Sequence, residues 1–309
     1  MNIIFMGTPD FAVPSLLKLA KSGYKPVAVV TGADKKRGRG QKLIPTPVKS
    51  AAADMGIPIL EPKSLKDSSF IREIASLDVE LSCVVAFRIL PDELISIPKR
   101  GTVNLHASLL PLYRGAAPIQ RAIMAGEKIT GATTFFIRRE VDTGNILLQK
   151  SLPLAEDEDF GSLHDRLAEL GADLLLKTIE RIKSGKLKEI PQDEAKATNA
   201  PKIKSDDLKI NWDNSAGRIH DQVRGLSPFP GVSARVNNMV IKIFKTEISD
   251  ETVEGYSPGE ISRITGSYFT VATGDGSLKV LELQRQGKKR METSEFLRGV
   301  DLSTGDTLT

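Results

Sequence analysis

At 309 residues the chain exceeds what one hydrophobic core usually accommodates, so its length predicts two domains. With 40% hydrophobic and 27% charged residues it has the composition of a soluble globular protein, and no apolar run reaches the roughly 18 residues of a membrane span. The single cysteine excludes a disulfide framework, and a net charge of +4 is by itself weak evidence for a nucleic-acid partner.

The first elements predict a βαβ unit. A short apolar run at 2–6 indicates a strand that stops at Gly7, residues 11–22 show helical spacing, and 27–30 indicates a second strand, expected to be parallel to the first. The turn after the first strand lacks the G-x-G-x-x-G spacing, which argues against NAD. Because no basic leader precedes a long apolar run, we expect a cytoplasmic protein.

A strongly basic stretch follows the second strand. Residues 34–42 contain five basic side chains and two glycines, which predicts a mobile loop. A solvated charge run is one interpretation. The other is contact with a nucleic-acid backbone, because the loop lies at the sheet edge where ligands bind. The basic residues are Lys35, Lys36, Arg37, Arg39 and Lys42.

Helices and strands then alternate, which predicts an α/β domain with a Rossmann-like, mainly parallel sheet. The predicted helices are 47–55, 67–76, 91–97, 118–125 and 162–183, and the predicted strands are 57–60, 79–87, 130–137 and 146–152. Cys83 lies in the continuous apolar strand 79–87, where a buried, inert thiol is favoured over a nucleophile.

The pattern changes after residue 186. We interpret 190–206 as a linker between a catalytic domain at 1–189 and a second domain at 207–309. The second domain begins with a predicted strand at 208–212 and a helix at 215–225, on which Arg218 and Arg224 are expected to be exposed. Five short strands follow, at 232–236, 240–246, 259–264, 269–273 and 278–283. This spacing suggests a small antiparallel β-barrel of the oligonucleotide-binding (OB) type.

An amide and an imidazole come together in the strand that begins at Thr102. Residues two apart share a strand face, so Asn104 and His106 point to one side at the C-terminal end of the strand, where open α/β sheets bind ligands. Asp142, in a Val-Asp-Thr-Gly turn, adds a carboxylate, although such a residue can also simply cap its own turn. These three groups suit direct acyl transfer: amide and imidazole stabilise an oxyanion, and the carboxylate manages the proton that leaves an amine.

Several sequence blocks resemble the methionyl-tRNA formyltransferase family, in the family's order and over nearly the whole chain. The blocks are 5–16, 37–49, 104–111, 113–120, 141–144, 224–231 and 272–276. Formyl-folate transferases in general share the Asn, His and Asp, whereas the basic loop and the second domain are typical of the tRNA-acting branch. The chain departs from the family at Phe87-Arg88 (usually Tyr-Gly), at Arg138-Arg139-Glu140 (usually acidic, with glycine) and at Asn145 (usually Asp).

The resemblance implies that 10-formyltetrahydrofolate donates its formyl group to the α-amine of methionine on initiator tRNA, for translation initiation, without a metal or NAD. By position, Asn104 and His106 would polarise the formyl oxygen and Asp142 would assist proton transfer. The implied folate-binding residues are Phe87, Ile89, Leu90, Ser108, Leu109, Leu110 and Pro111. The implied tRNA-binding residues are the five basic residues of 34–42 with Arg285, Lys288, Lys289 and Arg290.

We expect a monomer with no membrane partner. Two other functions stay open from the residues alone. One is a formyltransferase that acts on a small amine and uses its second domain for regulation or oligomerisation. The other is a catalytically silent RNA-binding protein that keeps the same frame.

Overall fold

A computed structural model describes residues 1–37 and 42–309, with side chains for 1–34 and 43–309. The helices are α1 (Val13–Lys21), α2 (Pro47–Asp54), α3 (Ser68–Ser76), α4 (Asp92–Ile95), α5 (Pro118–Met124), α6 (Phe160–Lys183), α7 (Ala216–Gly225) and α8 (Thr293–Leu297). The strands are β1 (Ile3–Gly7), β2 (Ala28–Val30), β3 (Lys35–Arg37), β4 (Lys42–Ile44), β5 (Ile59–Leu60), β6 (Leu81–Val85), β7 (Thr102–His106), β8 (Ile129–Phe136), β9 (Ile146–Pro153), β10 (Val232–Val236), β11 (Met239–Ser249), β12 (Ile261–Ile264), β13 (Phe269–Ala272), β14 (Ser277–Arg285) and β15 (Met291–Glu292).

The chain forms two compact units whose segments interleave along the sequence. Unit 1 consists of Met1–Pro118, Ile129–Pro153 and His164–Ala200. Unit 2 consists of Ile119–Lys128, Leu154–Leu163 and Pro201–Thr309. In the described part of the chain, no helix is long and apolar enough to cross a membrane.

Unit 1 is built on a seven-stranded sheet in the order β5-β2-β1-β6-β7-β8-β9. The strands from β5 to β7 are parallel, whereas β8 runs antiparallel to both of its neighbours. Every residue of β1 and β6 is buried, as expected for central strands covered on both faces. The predicted α/β class is confirmed. The connection 137–145 between β8 and β9 is too short for a parallel crossover, so these strands form an antiparallel pair.

Helix starts in unit 1 follow the capping residues. Thr46 precedes Pro47, the first residue of α2, and its hydroxyl accepts a hydrogen bond from the Lys49 N–H at 3.1 Å. Asp67 caps α3 in the same way, through a 2.8 Å bond from Ser69 N–H. Both side chains satisfy N–H groups that have no partner within the helix, so α2 begins at the predicted residue and α3 begins one residue after the predicted start.

The prediction of a loop at 34–42 is wrong at both ends of that segment, where the chain forms strands. Lys35–Arg37 and Lys42–Ile44 pair as the antiparallel strands β3 and β4, with Lys35 opposite Ile44 and Arg37 opposite Lys42. The sequence here lacks the alternation of apolar and polar residues that predicts a strand. The two segments pair nevertheless, because main-chain pairing satisfies their backbone N–H and C=O groups. Arg39 and the rest of 38–41 lie outside the described residues.

Cys83 is fully buried in β6, and desolvation raises the pKa of its thiol to about 12. Since the thiolate is the reactive form, we expect no reaction of the folded protein with a thiol reagent at pH 8, and one thiol titrated per chain in guanidinium chloride. Rapid labelling of the folded protein would contradict this burial.

Unit 2 contains an antiparallel sheet in the order β10-β11-β14-β13-β12, with β15 also paired to β14. The predicted all-antiparallel second domain is confirmed. Its core is formed by alternate strand residues such as Ile243, Phe269 and Leu283, together with the apolar face of α7, which includes Ile219 and Val223. Burial alternates along β10, as in an antiparallel sheet with one face on the core, whereas every residue of β13 is buried.

Two predictions near α7 are wrong. Residues 208–212 do not form a strand: a 3₁₀ turn at Ser205–Leu208 is followed by a single bridge from Lys209 to Ser233. Arg224 is not exposed. Only 5% of it is accessible, and its guanidinium binds the Asp221 carboxylate at 2.7 Å and the carbonyl of Glu158 at 3.0 Å. The helical pattern places Arg224 beside Val223 on the buried side, where these two oxygens replace water.

Segments from earlier in the chain complete unit 2. Arg121 forms a bidentate pair with Asp207, with both N–O distances at 2.7 Å, and donates to the carbonyl of Pro201 at 3.1 Å. This pairing holds the pKa of the Asp207 carboxyl below its usual value. Gly225 lies so close to Met124 that a Cβ there would come within 2.7 Å of the Met124 Cγ. The stretch 119–128 therefore packs as part of unit 2.

The first half of the predicted linker packs on unit 1. Ile190 exchanges both backbone hydrogen bonds with Ile146, at 2.8 and 2.9 Å. Ala200 donates to the carbonyl of Arg114 at 2.6 Å and accepts from Ala117 N–H at 3.1 Å. These bonds hold the segment 190–200, which contains a 3₁₀ turn at Glu194–Lys196, against unit 1. The domain boundaries themselves stay a prediction.

Candidate active site

Asp142 lies close to His106 although the turn that carries Asp142 begins at the opposite end of β7 from His106. In the β7–β8 register, His106 lies opposite Thr133, while Val103, near the start of β7, lies opposite Phe136 at the end of β8. The turn 137–145 therefore leaves the sheet at the end opposite to His106. Nevertheless, Asp142 Oδ2 lies 3.7 Å from His106 Nδ1, so the turn folds back over the sheet.

The turn is held in this conformation by backbone contacts. Asp142 has a φ of +57°, and its Oδ2 accepts a 2.8 Å hydrogen bond from the N–H of Gly115. A Cβ at Gly144 would overlap the carbonyl oxygen of Phe136, so this position accepts only glycine. The carboxylate is thus fixed by its own turn and by the chain after β7.

One nitrogen of His106 is already occupied. The ring is 6% exposed, and its Nε2 lies 2.8 Å from the carbonyl oxygen of Tyr113. A carbonyl only accepts, so Nε2 carries a hydrogen and Nδ1 is the nitrogen that faces Asp142. Nδ1 is therefore the nitrogen through which the ring can act on a bound ligand, next to the Asp142 carboxylate.

Asn104 shares the sheet face of His106 and is half-buried. Within the described residues, no hydrogen bond engages its side-chain amide. A half-buried amide with unused donors next to an imidazole is available to a ligand. The three residues predicted for catalysis therefore lie in one unit, and the His106–Asp142 pair is in direct proximity.

Two side chains missed by the sequence analysis support this group. Gln192 Nε2 donates to the carbonyls of Asp142 and Gly144, both at 2.8 Å. Gln192 Oε1 accepts from Arg114 Nε and Nη2 at 3.0 and 2.7 Å. Arg114 also pairs with Glu194, which is the main reason that its pKa is raised. Gln192 was assigned to a linker, and Arg114 belongs to a family block but received no role.

The turn predicted to line a folate site packs largely inward. Ser108 is fully buried, and its hydroxyl donates to the carbonyl of Leu112 at 2.6 Å. Leu110 is 3% exposed and packs against Phe135 and Ile146. Leu109 and Pro111 are half-buried. A ligand at this turn would meet mainly backbone and these two partly accessible side chains.

The second group of predicted folate residues follows β6. Ile89 is 77% exposed, whereas Leu90 is 7% exposed and belongs to the hydrophobic core that includes Met6 of β1 and Ile74 of α3. Phe87 is half-buried, with the guanidinium of Arg88 5.2 Å from its ring centre. Phe87 and Ile89 are therefore the accessible apolar residues of this group. Among the described residues, no group of three or more His, Cys, Asp or Glu side chains is arranged to hold a metal ion.

Comparison with known proteins places the chain in one family. Residues 1–179 match the formyl transferase family model, and residues 202–301 match the formyl transferase C-terminal domain. The methionyl-tRNA formyltransferase of Moorella thermoacetica is 45% identical over 309 residues, which cover 100% of this chain and 99% of that protein. The chain belongs to the methionyl-tRNA formyltransferase family. The enzyme of the same name from Pelobacter propionicus is 44% identical over 308 residues, 99% of this chain and 96% of its own.

Solved structures of formyltransferases share the fold. WlaRD, a sugar 3N-formyl transferase solved with dTDP and 5-N-formyl-THF, superposes with a TM-score of 0.69 at 22% identity, over 94% of this chain and 99% of its own. HypX from Aquifex aeolicus, in complex with tetrahydrofolic acid, gives a TM-score of 0.66 at 18% identity, over 99% of this chain and 50% of its own. At these identities the likeness concerns the fold.

The basic residues predicted to contact tRNA divide into two sets. The side chains of Lys35, Lys36, Arg37 and Lys42, and all of Arg39, lie outside the described part of the structure. In unit 2, Arg285, Lys288 and Lys289 are exposed. Arg290 is engaged by the Glu282 carboxylate, and its guanidinium lies 4.7 Å from the centre of the Phe244 ring. All four predicted cations of unit 2 are therefore exposed, one of them already paired with a carboxylate, and their contact with tRNA stays a prediction.

Proposed function

We propose that this chain transfers the formyl group of 10-formyltetrahydrofolate to the α-amine of methionine esterified to initiator tRNA. The observation that carries the proposal is the meeting of His106 and Asp142, with Asn104 on the same face, in a chain whose full-length relatives bear the name of this enzyme. An imidazole, a carboxylate and an unused amide are the groups that direct acyl transfer requires.

In the proposed reaction a bond forms between the amine nitrogen and the formyl carbon, and negative charge develops on the formyl oxygen. The amide N–H of Asn104 and the Nδ1–H of a protonated His106 stabilise that oxygen. Asp142 accepts the proton that the amine loses. As the oxyanion collapses, the bond between the formyl carbon and the folate nitrogen breaks, and that nitrogen takes up the proton that Asp142 accepted from the amine. The folate thus leaves as a neutral amine, and Asp142 returns to its carboxylate form.

The proposal extends to the binding surfaces. Phe87 and Ile89 offer accessible apolar area for the folate ring system, and the partly accessible side chains of Leu109 and Pro111 add to it. The positive charges of 34–42 and of Arg285, Lys288 and Lys289 are suited to the tRNA backbone. In this arrangement unit 1 performs the chemistry and both units contribute charge for tRNA.

A single-turnover assay tests the proposed acceptor. The protein is mixed with 10-formyltetrahydrofolate and either methionyl initiator tRNA or small amines, including free methionine and an amino-sugar nucleotide. We expect transfer to the charged tRNA at a rate at least 100 times that of any small amine. Efficient transfer only to a small amine would overturn the proposed acceptor, and tRNA binding without transfer would favour a silent RNA-binding protein.

Replacing Arg37 and Arg39 together with Ala is expected to weaken tRNA binding and flatten its salt dependence. Each lost phosphate contact on a single-stranded end lowers the slope of log K against log salt by about 0.7, so two contacts lower it by roughly 1.4. Binding is measured between 50 and 200 mM salt. Replacing the exposed Lys63 and Lys66 removes the same charge elsewhere on unit 1 and serves as the control. An unchanged slope in the double arginine variant would leave 34–42 a solvated charge run.

A further inference from the structure

We propose that Gln192 is a positioning residue that sets the distance between Asp142 and His106, and that Arg114 and Glu194 hold Gln192 in the orientation this requires. The inference rests on the proposed function for its kinetic readout. Its structural basis lies entirely in contacts within unit 1.

Gln192 uses the full hydrogen-bonding capacity of its carboxamide. Its nitrogen binds the carbonyls of Asp142 and Gly144, and its oxygen binds two N–H groups of Arg114. The two carbonyls flank Thr143, so one side chain fixes the backbone on both sides of the turn's apex. Moving Gln192 moves the peptide that carries the Asp142 carboxylate.

The turn needs such a contact because the backbone conformation of Asp142 is energetically unfavourable. A non-glycine residue at a φ of +57°, such as Asp142, costs of order 1 kcal/mol or more relative to the right-handed region. Within the turn, the side-chain bond from Thr143 Oγ1 to the Glu140 carbonyl, at 3.0 Å, leaves the carbonyls of Asp142 and Gly144 to be bound from outside. Gln192 binds both of them from 48 to 50 residues away.

Arg114 determines which way the Gln192 amide points. A guanidinium only donates, so the Gln192 oxygen must face it and the nitrogen must face the turn. The remaining Arg114 donors bind Glu194 at 2.8 Å through Nη1 and Nη2, which fixes the plane of the fork. The next residue, Gly115, donates its N–H to Asp142 Oδ2. Gly115 thus binds the Asp142 carboxylate directly. Arg114 acts on the backbone of the turn indirectly, by orienting Gln192.

The test replaces Gln192 with Met, a side chain of similar length that makes none of the four hydrogen bonds. A displacement of the carboxylate by about 1 Å can cost up to about 100-fold in rate, so we expect kcat for formyl transfer to fall 10- to 100-fold. KM for folate and tRNA should change less than threefold. The matched control is Glu189→Ala, which removes a 2.8 Å bond from Asn145 between the same turn and the same segment without touching Asp142 or Gly144. Its kcat should stay within twofold of the parent.

A double-mutant cycle separates positioning from general stability. If Gln192 acts through Asp142, adding Gln192→Met to Asp142→Asn should lower the single-turnover rate by less than twofold further. A multiplicative loss would show an independent structural role and overturn the inference, as would a Gln192→Met rate within twofold of the parent. If Gln192→Met does not fold, Arg114→Lys, which keeps the charge but loses the fork, should lower kcat about five- to tenfold with KM unchanged, and an unchanged kcat would also overturn the inference. Absence of transfer by the parent would instead refute the proposed function.

Discussion

Replacing Asp142 with Asn is expected to lower the rate of formyl transfer by about 10²- to 10⁴-fold, the range typical of a lost general base. The amide oxygen of Asn still accepts the N–H of Gly115, so the turn should keep its conformation. What is lost is the group that takes the proton from the amine. His106→Ala should cause a comparable loss, because Nδ1 faces the same carboxylate.

The rates are measured by single turnover with charged initiator tRNA, and tRNA binding is measured in parallel. Binding should remain within threefold of the parent for both variants, because neither residue belongs to the proposed charge surface. Glu140→Gln provides the control, since it removes an exposed carboxylate from the same turn. An Asp142→Asn rate within tenfold of the parent would refute its role as the base.

Gly144→Ala is expected to destabilise the protein by about 3 kcal/mol, at the upper end of the usual cost of overpacking. The added Cβ would overlap the carbonyl oxygen of Phe136 and lie 2.8 Å from its carbonyl carbon. These are backbone atoms of β8, so no side-chain rotation relieves the overlap. The turn must separate from the strand, and the Asp142 carboxylate must move with it.

Urea unfolding measures this loss. Gly266→Ala is the control: a Cβ at Gly266 meets open space, so its free energy of unfolding should change by no more than about 0.5 kcal/mol. If the midpoint for Gly144→Ala equals that of the parent, the close approach of the turn to β8 is absent in solution.

The elements of the fold could be predicted where apolar periodicity and capping residues agree. The largely apolar stretch at 79–87 contains β6 (Leu81–Val85), and the Thr46-Pro47 pair marked the start of α2. The prediction failed where partners decide conformation. Residues 208–212 carry strand-like residues but make only one bridge, and Arg224 is buried because two oxygens compensate its charge.

The candidate site could be predicted in part for a similar reason. Asn104 and His106 share a face through strand spacing alone, which is a local property. The approach of Asp142 depends on the antiparallel register of β7 and β8 and on a backward fold of the turn. The contact between Gln192 and Arg114 joins positions 78 residues apart, and no periodicity signals it.

The interleaving of the two units also limits how the molecule can be taken apart. A fragment ending at residue 200 would keep Arg121 and Met124 but lose Asp207 and Gly225, on which they pack. The complementary fragment would have a helix α7 stripped of those neighbours and of the Glu158 carbonyl that Arg224 binds. No single cut in the chain therefore separates the two units, and gene fusions or fragment complementation would have to respect the five points at which the chain passes from one unit to the other.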